Sequence, residues 1–248
     1  MVSESMLEEQ REELHLSYRL LGERGLTEYE HTEVTICDWS KALVLCRPAS
    51  VRIAFLRPED YLVVSMKTGA IVEGKGYAND TVKMHMKVYE ALKGVDSIAS
   101  AYSRFATVWA QAGIELPCIG VAHANRFSGP IPVTRLLEDF RDMEEYRTAL
   151  AEAILEAYEA KGINYRNVPA ILIRQHGPLA LGSNALGASE NLSTLELVAD
   201  IALQTLRVNP GVEALSNWKI EQHFESPIFH RMDLRGQKPR ISPRGRIG

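Results

Sequence analysis

Apolar spacing in this chain switches repeatedly between the helical period of 3.6 and short β-rich runs, and no apolar stretch approaches the roughly 18 residues of a bilayer span. That alternation predicts an α/β fold in which amphipathic helices cover a sheet. Leu7, Leu14, Tyr18 and Leu21 recur at helical spacing among Glu and Arg, so 4–24 reads as an amphipathic helix stopped at Gly25. β-rich runs follow at 33–36, 42–45, 61–64 and 70–72, the last two joined by Lys67-Thr68-Gly69, which predicts antiparallel strands. Asp80 reads as the cap of a helix reaching about residue 92, before Gly94. Beyond it the pattern gives a strand at 98–102, a helix ending at Gly113, a strand at 118–121 and a helix over 142–160. A strand at 170–174 and helices over 186–206 and 217–224 complete the regular part. No repeat or low-complexity linker divides the chain, so 1–230 reads as one domain. The remainder, RMDLRGQKPRISPRGRIG at 231–248, is basic, rich in Arg, Gly and Pro, and reads as a tail in solvent or draped on a partner.

With 46% hydrophobic and 24% charged residues, 248 residues suffice for one large core. A formal charge of −4 argues against nucleic acid or an anionic membrane as partner and leaves a small soluble ligand as the expectation. Cys37, Cys46 and Cys118 are odd in number and lack CxxC spacing, which argues against a disulfide framework or a thiolate zinc site. They read as buried fillers in a reducing cytosol. The start, MVSESMLEEQREELHLSYRLL, carries acids where a signal peptide needs a basic, then apolar, segment, so the expected location is cytoplasmic.

The stretch SRFATVWAQAGIELPCIGVAHANRFSGPIPVTRLL at 103–137 closely resembles the central part of L-ribulose-5-phosphate 4-epimerases. GLTEYEHTEVTICD at 25–38, RPASV at 47–51 and ILIRQHGPLALG at 171–182 resemble flanking turns of the same class II aldolase and epimerase family. The resemblance implies a three-layer αβα fold around a mainly antiparallel sheet, a homotetramer, and active sites shared between neighbouring subunits.

It also marks what this chain lacks. Where the family places a histidine-x-histidine pair on zinc, this chain has Ser100 and Tyr102, and only His176 of the three imidazoles remains. Asp80 matches a family carboxylate beside the metal. One imidazole and one carboxylate make a poor zinc site, so no metal and no other cofactor is expected. His85, five residues past Asp80, reads as a packing or surface residue on another helix face. At the phosphate site the matching residues are Glu33, Ala49-Ser50 and Ala78-Asn79, with Arg47 as the matching base. A carboxylate at 33 opposes a dianion, although Arg47 can instead pair with Glu33. Asn125 stands where the epimerase has a catalytic aspartate, and asparagine exchanges no proton at neutral pH.

The resemblance therefore implies a cavity lined by Asp80, Tyr102, Arg174, His176, His123 and Asn125, with His223 matching a family histidine on the last helix. His176, Tyr102 and Asp80 are the candidate catalytic groups. Glu33, Arg47, Ser50, Asn79, Ser100, His123, Asn125, Arg174 and His223 are candidates for binding substrate. Glu196 and Arg135 read as structural ties. The expected function is a metal-independent acid–base step of isomerase, lyase, dehydratase or cyclase type on an unphosphorylated small carbonyl or enol compound. The alternatives are a catalytically inactive relative that binds a ligand or protein, and a sugar-phosphate aldolase or 4-epimerase with an altered metal site.

Overall fold

The computed structural model describes residues 4–224, so the expected boundary at 230 and the basic segment 231–248 lie outside the described residues. The regular elements are α1 (Glu4–Glu23), β1 (Glu33–Asp38), β2 (Leu43–Cys46), β3 (Leu62–Ser65), β4 (Ile71–Glu73), α2 (Asp80–Ala91) and β5 (Ser97–Ser100). There follow α3 (Arg104–Ala112), α4 (Val121–Ala124), α5 (Met143–Glu159), β6 (Ala170–Ile173), β7 (Gly177–Gly182), α6 (Ala185–Val208) and α7 (Asn217–Phe224). The strands form one sheet in the order β4-β3-β2-β1-β5-β7-β6 with every neighbouring pair antiparallel.

Helices cover both faces, which is why the strands are apolar at successive positions. Val44 and Val64, paired across β2 and β3, pack toward Val82 and Tyr89 of α2 and Ile154 of α5. Their neighbours Leu45 and Val63 point the other way, onto Leu14, Tyr18 and Leu21 of α1. On that second face Trp109 of α3 packs with Leu195 and Val198 of α6 over Ala170 and Leu172. Leu14 and Leu21 are fully buried, and each contributes about 2 kcal/mol by leaving water. The result is the three-layer αβα arrangement expected from the sequence.

Three local expectations are corrected. The run at 118–121 is not a strand: Gly120 caps α4, and the Cys118 carbonyl accepts from the Leu215 N–H at 2.8 Å. The two residues between Pro117 and Gly120, Cys118 and Ile119, are too few for periodicity to separate the states. Strand β7 was hidden because Gly177-Pro178 reads as a turn, yet it lies between β5 and β6. Helix α2 is capped by Asn79, whose side chain accepts from the Thr81 N–H at 3.2 Å, so Asp80 is its first helical residue. The three cysteines are free and buried, as expected.

Gly182 ends β7 where α6 passes close above it. A Cβ there would stand 2.4 Å from the Ala188 nitrogen and 2.7 Å from the Asn184 carbonyl oxygen, both backbone atoms that cannot swing aside. Gly182→Ala should therefore lower stability by about 3 kcal/mol in urea denaturation, the range of a core overpacking defect. An unchanged midpoint would contradict this close approach.

Candidate active site

The hairpin joining β6 to β7 carries His176. Its turn is Arg174-Gln175-His176, with Gln175 at φ 60° and the His176 N–H bonded to the Ile173 carbonyl at 2.9 Å. Gly177 lets the hairpin approach β5: a Cβ there would meet the Ala101 carbonyl oxygen at 3.2 Å and Tyr102 Cδ1 at 3.4 Å. The imidazole of His176 consequently lies edge-on to the Tyr102 ring, centroids 5.4 Å apart. His31, not singled out from the sequence, packs on Tyr102 at 5.5 Å. Burial lowers the pKa of His176, so it is neutral at pH 7 and can accept a proton.

Beside this pair runs a buried polar seam. Glu33 of β1 lies opposite Ser100 of β5 in register, and Thr35 lies opposite Ile98. Helix α2 buries Val82, His85 and Tyr89, a stripe at i, i+3 and i+7 that faces β1. His85 is thus buried, which overturns the surface alternative and keeps the packing one, and its ring also hydrogen-bonds on both nitrogens. Its face differs from that of Asp80 because it is the sheet-facing one. His85 Nε2 lies 2.9 Å from Ser100 Oγ and its Nδ1 lies 3.0 Å from Thr35 Oγ1. Thr35 Oγ1 is 2.9 Å from the Tyr89 hydroxyl, which also donates to the Thr35 carbonyl at 3.0 Å. Four contacts and four protons give one fully satisfied arrangement. Tyr89 donates to the carbonyl, Thr35 to Tyr89, His85 Nδ1–H to Thr35, and Ser100 to His85 Nε2. Burial, followed by the nearby His176, pushes the pKa of His85 down to about 3, so it stays neutral.

The residues matching a phosphate cradle bond to one another. Arg47 donates from Nε to the Thr32 carbonyl at 3.2 Å, reaches the Glu30 and Val51 carbonyls, and lies 3.5 Å from Glu33 Oε2. Tyr18 donates to Glu33 Oε1 at 3.2 Å. The Ala49 N–H bonds to the Tyr77 carbonyl at 2.8 Å, and Asn79 caps α2. Ser50 is exposed beside Gly76. Burial raises the Glu33 pKa from 4.5 to about 7 against the lowering effect of Arg47.

Other expected site residues lie elsewhere. The Asp80 side chain is 66% exposed and pairs with Arg147 at 3.1 Å and Lys83 at 3.2 Å, not with His176, because it begins α2 on the solvent side. Arg174 lies over Gly113 at the end of α3. His123 hydrogen-bonds through Nε2 to the Gly129 carbonyl at 2.8 Å and packs edge-on to Phe127. Burial lowers its pKa to about 4, so it is a neutral loop anchor. Asn125 closes α4 with its buried Oδ1 unpartnered, and His223 sits in α7, which packs on α4. None of these makes a hydrogen bond or ring contact with His176 among the described residues. Glu196 and Arg135 are structural, as expected: Glu196 accepts the Phe105 and Ala106 N–H groups at 2.8 Å, and Arg135 pairs with Glu156.

These residues do not fit zinc. Ser100 is engaged by His85, Asp80 by Arg147, and no group of three or more His, Cys, Asp or Glu side chains among the described residues is gathered to hold a metal.

The Glu33 carboxyl binds its proton more tightly folded than unfolded. Its contribution is therefore full below pH 4.5 and is lost as pH rises through about 7, a swing of roughly 3 kcal/mol. His85 and His123 act oppositely, losing stability as pH falls below 6.5. The difference between wild type and Glu33→Gln isolates the first effect. Denaturation from pH 4.5 to 7.5 should show the variant gaining on wild type as pH rises, and a constant difference would refute the buried-acid assignment.

The comparisons with known proteins agree with this architecture. Residues 12–203 match the family model described as the Class II Aldolase and Adducin N-terminal domain. The L-ribulose-5-phosphate 4-epimerase UlaF of Salmonella paratyphi A is 30% identical over 200 residues, covering 81% of this chain and 86% of that protein. An L-fuculose 1-phosphate aldolase superposes with a TM-score of 0.72 at 23% identity, covering 88% of this chain and 95% of the other. The L-fuculose 1-phosphate aldolase from Glaciozyma antarctica PI12 gives 0.72 at 16% identity, over 90% and 84%. The chain belongs to the class II aldolase and adducin family.

Proposed function

We propose that this chain is a family member turned to a metal-independent acid–base reaction, of isomerase, lyase, dehydratase or cyclase type, on an unphosphorylated carbonyl or enol compound. The observation that carries the reading is the contact between the neutral imidazole of His176 and the Tyr102 ring. His176 takes a proton from carbon or oxygen next to the substrate carbonyl and returns it later. The Tyr102 hydroxyl donates to the oxyanion that forms. Tyr102 is 39% exposed, so a substrate can reach it. Absence of phosphate from the substrate is supported by Arg47, whose donors are directed to backbone carbonyls and Glu33. A cytosolic homo-oligomer fits the reading, with exposed Ile201 and Val208 along α6 as apolar surface for a neighbouring copy. The described residues hold no helix long and apolar enough to cross a membrane.

A second reading, a binding protein without catalysis, is favoured by the mutual satisfaction of the seam from Tyr89 to Ser100. Kinetics separate the two. His176→Ala and Tyr102→Phe should each lower kcat by about 100-fold or more while leaving the oligomer folded, given the usual share of general acid–base catalysis. Full activity of His176→Ala would sink the catalytic assignment.

Binding supplies an independent check. L-ribulose 5-phosphate and L-fuculose 1-phosphate should bind no better than millimolar by calorimetry, because Arg47 directs its donors to backbone carbonyls and lies against the buried Glu33. The same preparation should contain zinc well below one per chain and sediment as an oligomer. Low-micromolar phosphate binding, stoichiometric zinc, or a monomer would each refute the corresponding part.

A further inference from the structure

A cavity of about 660 Å³ opens between the end of α1, the start of α3 and the middle of α6, with Tyr102 in its wall. It lies outside the seam and the cradle described above, and its volume suits a small organic ligand. Serine is a preferred helix cap, and Ser103 occupies the cap position of α3, yet its hydroxyl caps nothing. Glu196, reaching across from α6, holds the Phe105 and Ala106 N–H groups instead. Ser103 is 5% exposed, lines the cavity, and its Oγ has no hydrogen-bond partner. Ser193, from α6 in the same wall, also carries a buried, unpartnered Oγ. An orphaned hydroxyl costs roughly 1–3 kcal/mol, a penalty that a ligand bearing matching groups removes once the side chain rotates toward it.

The lining also defines the charge of the guest. Three guanidinium groups, Arg24, Arg104 and Arg126, stand among four carboxylates, Glu28, Glu190, Glu196 and Asp200. Arg104 pairs with Glu28 at 2.8 Å and Arg126 with Glu190 at 3.3 Å. No cationic surplus remains for a phosphate. Tyr29 and Tyr102 are both exposed and offer ring faces, while the paired carboxylates and guanidiniums offer planar groups suited to adjacent hydroxyls.

We infer that this cavity binds an uncharged polyhydroxylated compound, a sugar or cyclitol without phosphate, with one C–H face on Tyr102 and its hydroxyls toward Ser103 and Ser193. The inference rests on the proposed function in that Tyr102 lines the cavity and also contacts the His176 ring. Saturation-transfer NMR and calorimetry with L-ribulose, L-fucose and myo-inositol, each beside a phosphorylated counterpart, test it. At least one neutral compound should bind at least tenfold more tightly than its phosphate. Ser193→Phe, which fills the cavity, should weaken that binding at least tenfold. So should Leu197→Trp, which narrows the cavity from a 56% exposed rim position and leaves the core untouched. Failure of all neutral compounds to bind, preference for the phosphates, or wild-type affinity in Leu197→Trp overturns the inference. His176→Ala should bind the same compounds normally. Binding retained together with full turnover in that variant would refute the catalytic reading and leave the cavity assignment standing.

Discussion

The hydrogen bond between His85 and Ser100 is the interaction on which the centre of this molecule depends. It sits between helix α2 and the two central strands, where every polar atom must find a partner inside the protein. A dication would draw imidazoles and carboxylates toward itself and stabilise their charge-bearing lone pairs. Here the seam is neutral from Tyr89 through Thr35 and His85 to Ser100, and His85 resists protonation because burial removes the solvent that would stabilise its cation. Removing the His85 ring would take from the Ser100 hydroxyl its partner and leave the Thr35 hydroxyl with Tyr89 alone.

The same accounting explains the pair of Glu33 and Arg47. A buried carboxylate needs either a proton or a cation beside it, and Glu33 has access to both. Arg47 approaches at 3.5 Å but directs its donors chiefly to the carbonyls of residues 30, 32 and 51. Coulombic attraction without an ideal hydrogen bond is consistent with an acid that is only partly ionised near neutral pH. The chain's own carboxylate therefore stands where the family resemblance places an anionic group of the ligand.

Helices were the most legible part of the sequence, because α1, α5 and α6 are long enough for their apolar stripes to outweigh local accidents. Strands β1 to β6 were legible as short β-rich runs, to within a few residues at their ends, whereas β7 begins with Gly-Pro and reads as a turn. The site was legible only in part. Ser100, Tyr102 and His176 come together because β5 and the β6–β7 hairpin are adjacent in the sheet. Their company was not foreseen, because His85 was placed by its distance from Asp80. Its spacing from Val82 and Tyr89, three before and four after, carried the signal that it faces the sheet. His123, Asn125 and His223 belong to α4 and α7, a separate layer of contacts that spacing along the chain cannot relate to His176.

A decayed site and a repurposed one differ in what their polar groups lack. Decay leaves former ligands to settle on neighbours, as Asp80 has settled on Arg147 and Lys83. It gives no reason to retain hydroxyls that settle on nothing. Tyr61, Thr107 and Ser189 carry such hydroxyls elsewhere, but Ser103 and Ser193 share one cavity wall, and Glu196 has taken over the capping role that would have satisfied the first of these two. Alanine at either position would relieve the desolvation penalty without altering the packing of α3 or α6. Their presence in one cavity wall, beside the tyrosine that contacts His176, is difficult to reconcile with simple loss and consistent with a bound guest. Tyr102 then has two duties on its two sides. One edge holds the imidazole in place, and the exposed part meets the ligand, so substitution at this position should disturb binding and turnover together, whereas substitution at His176 should separate them.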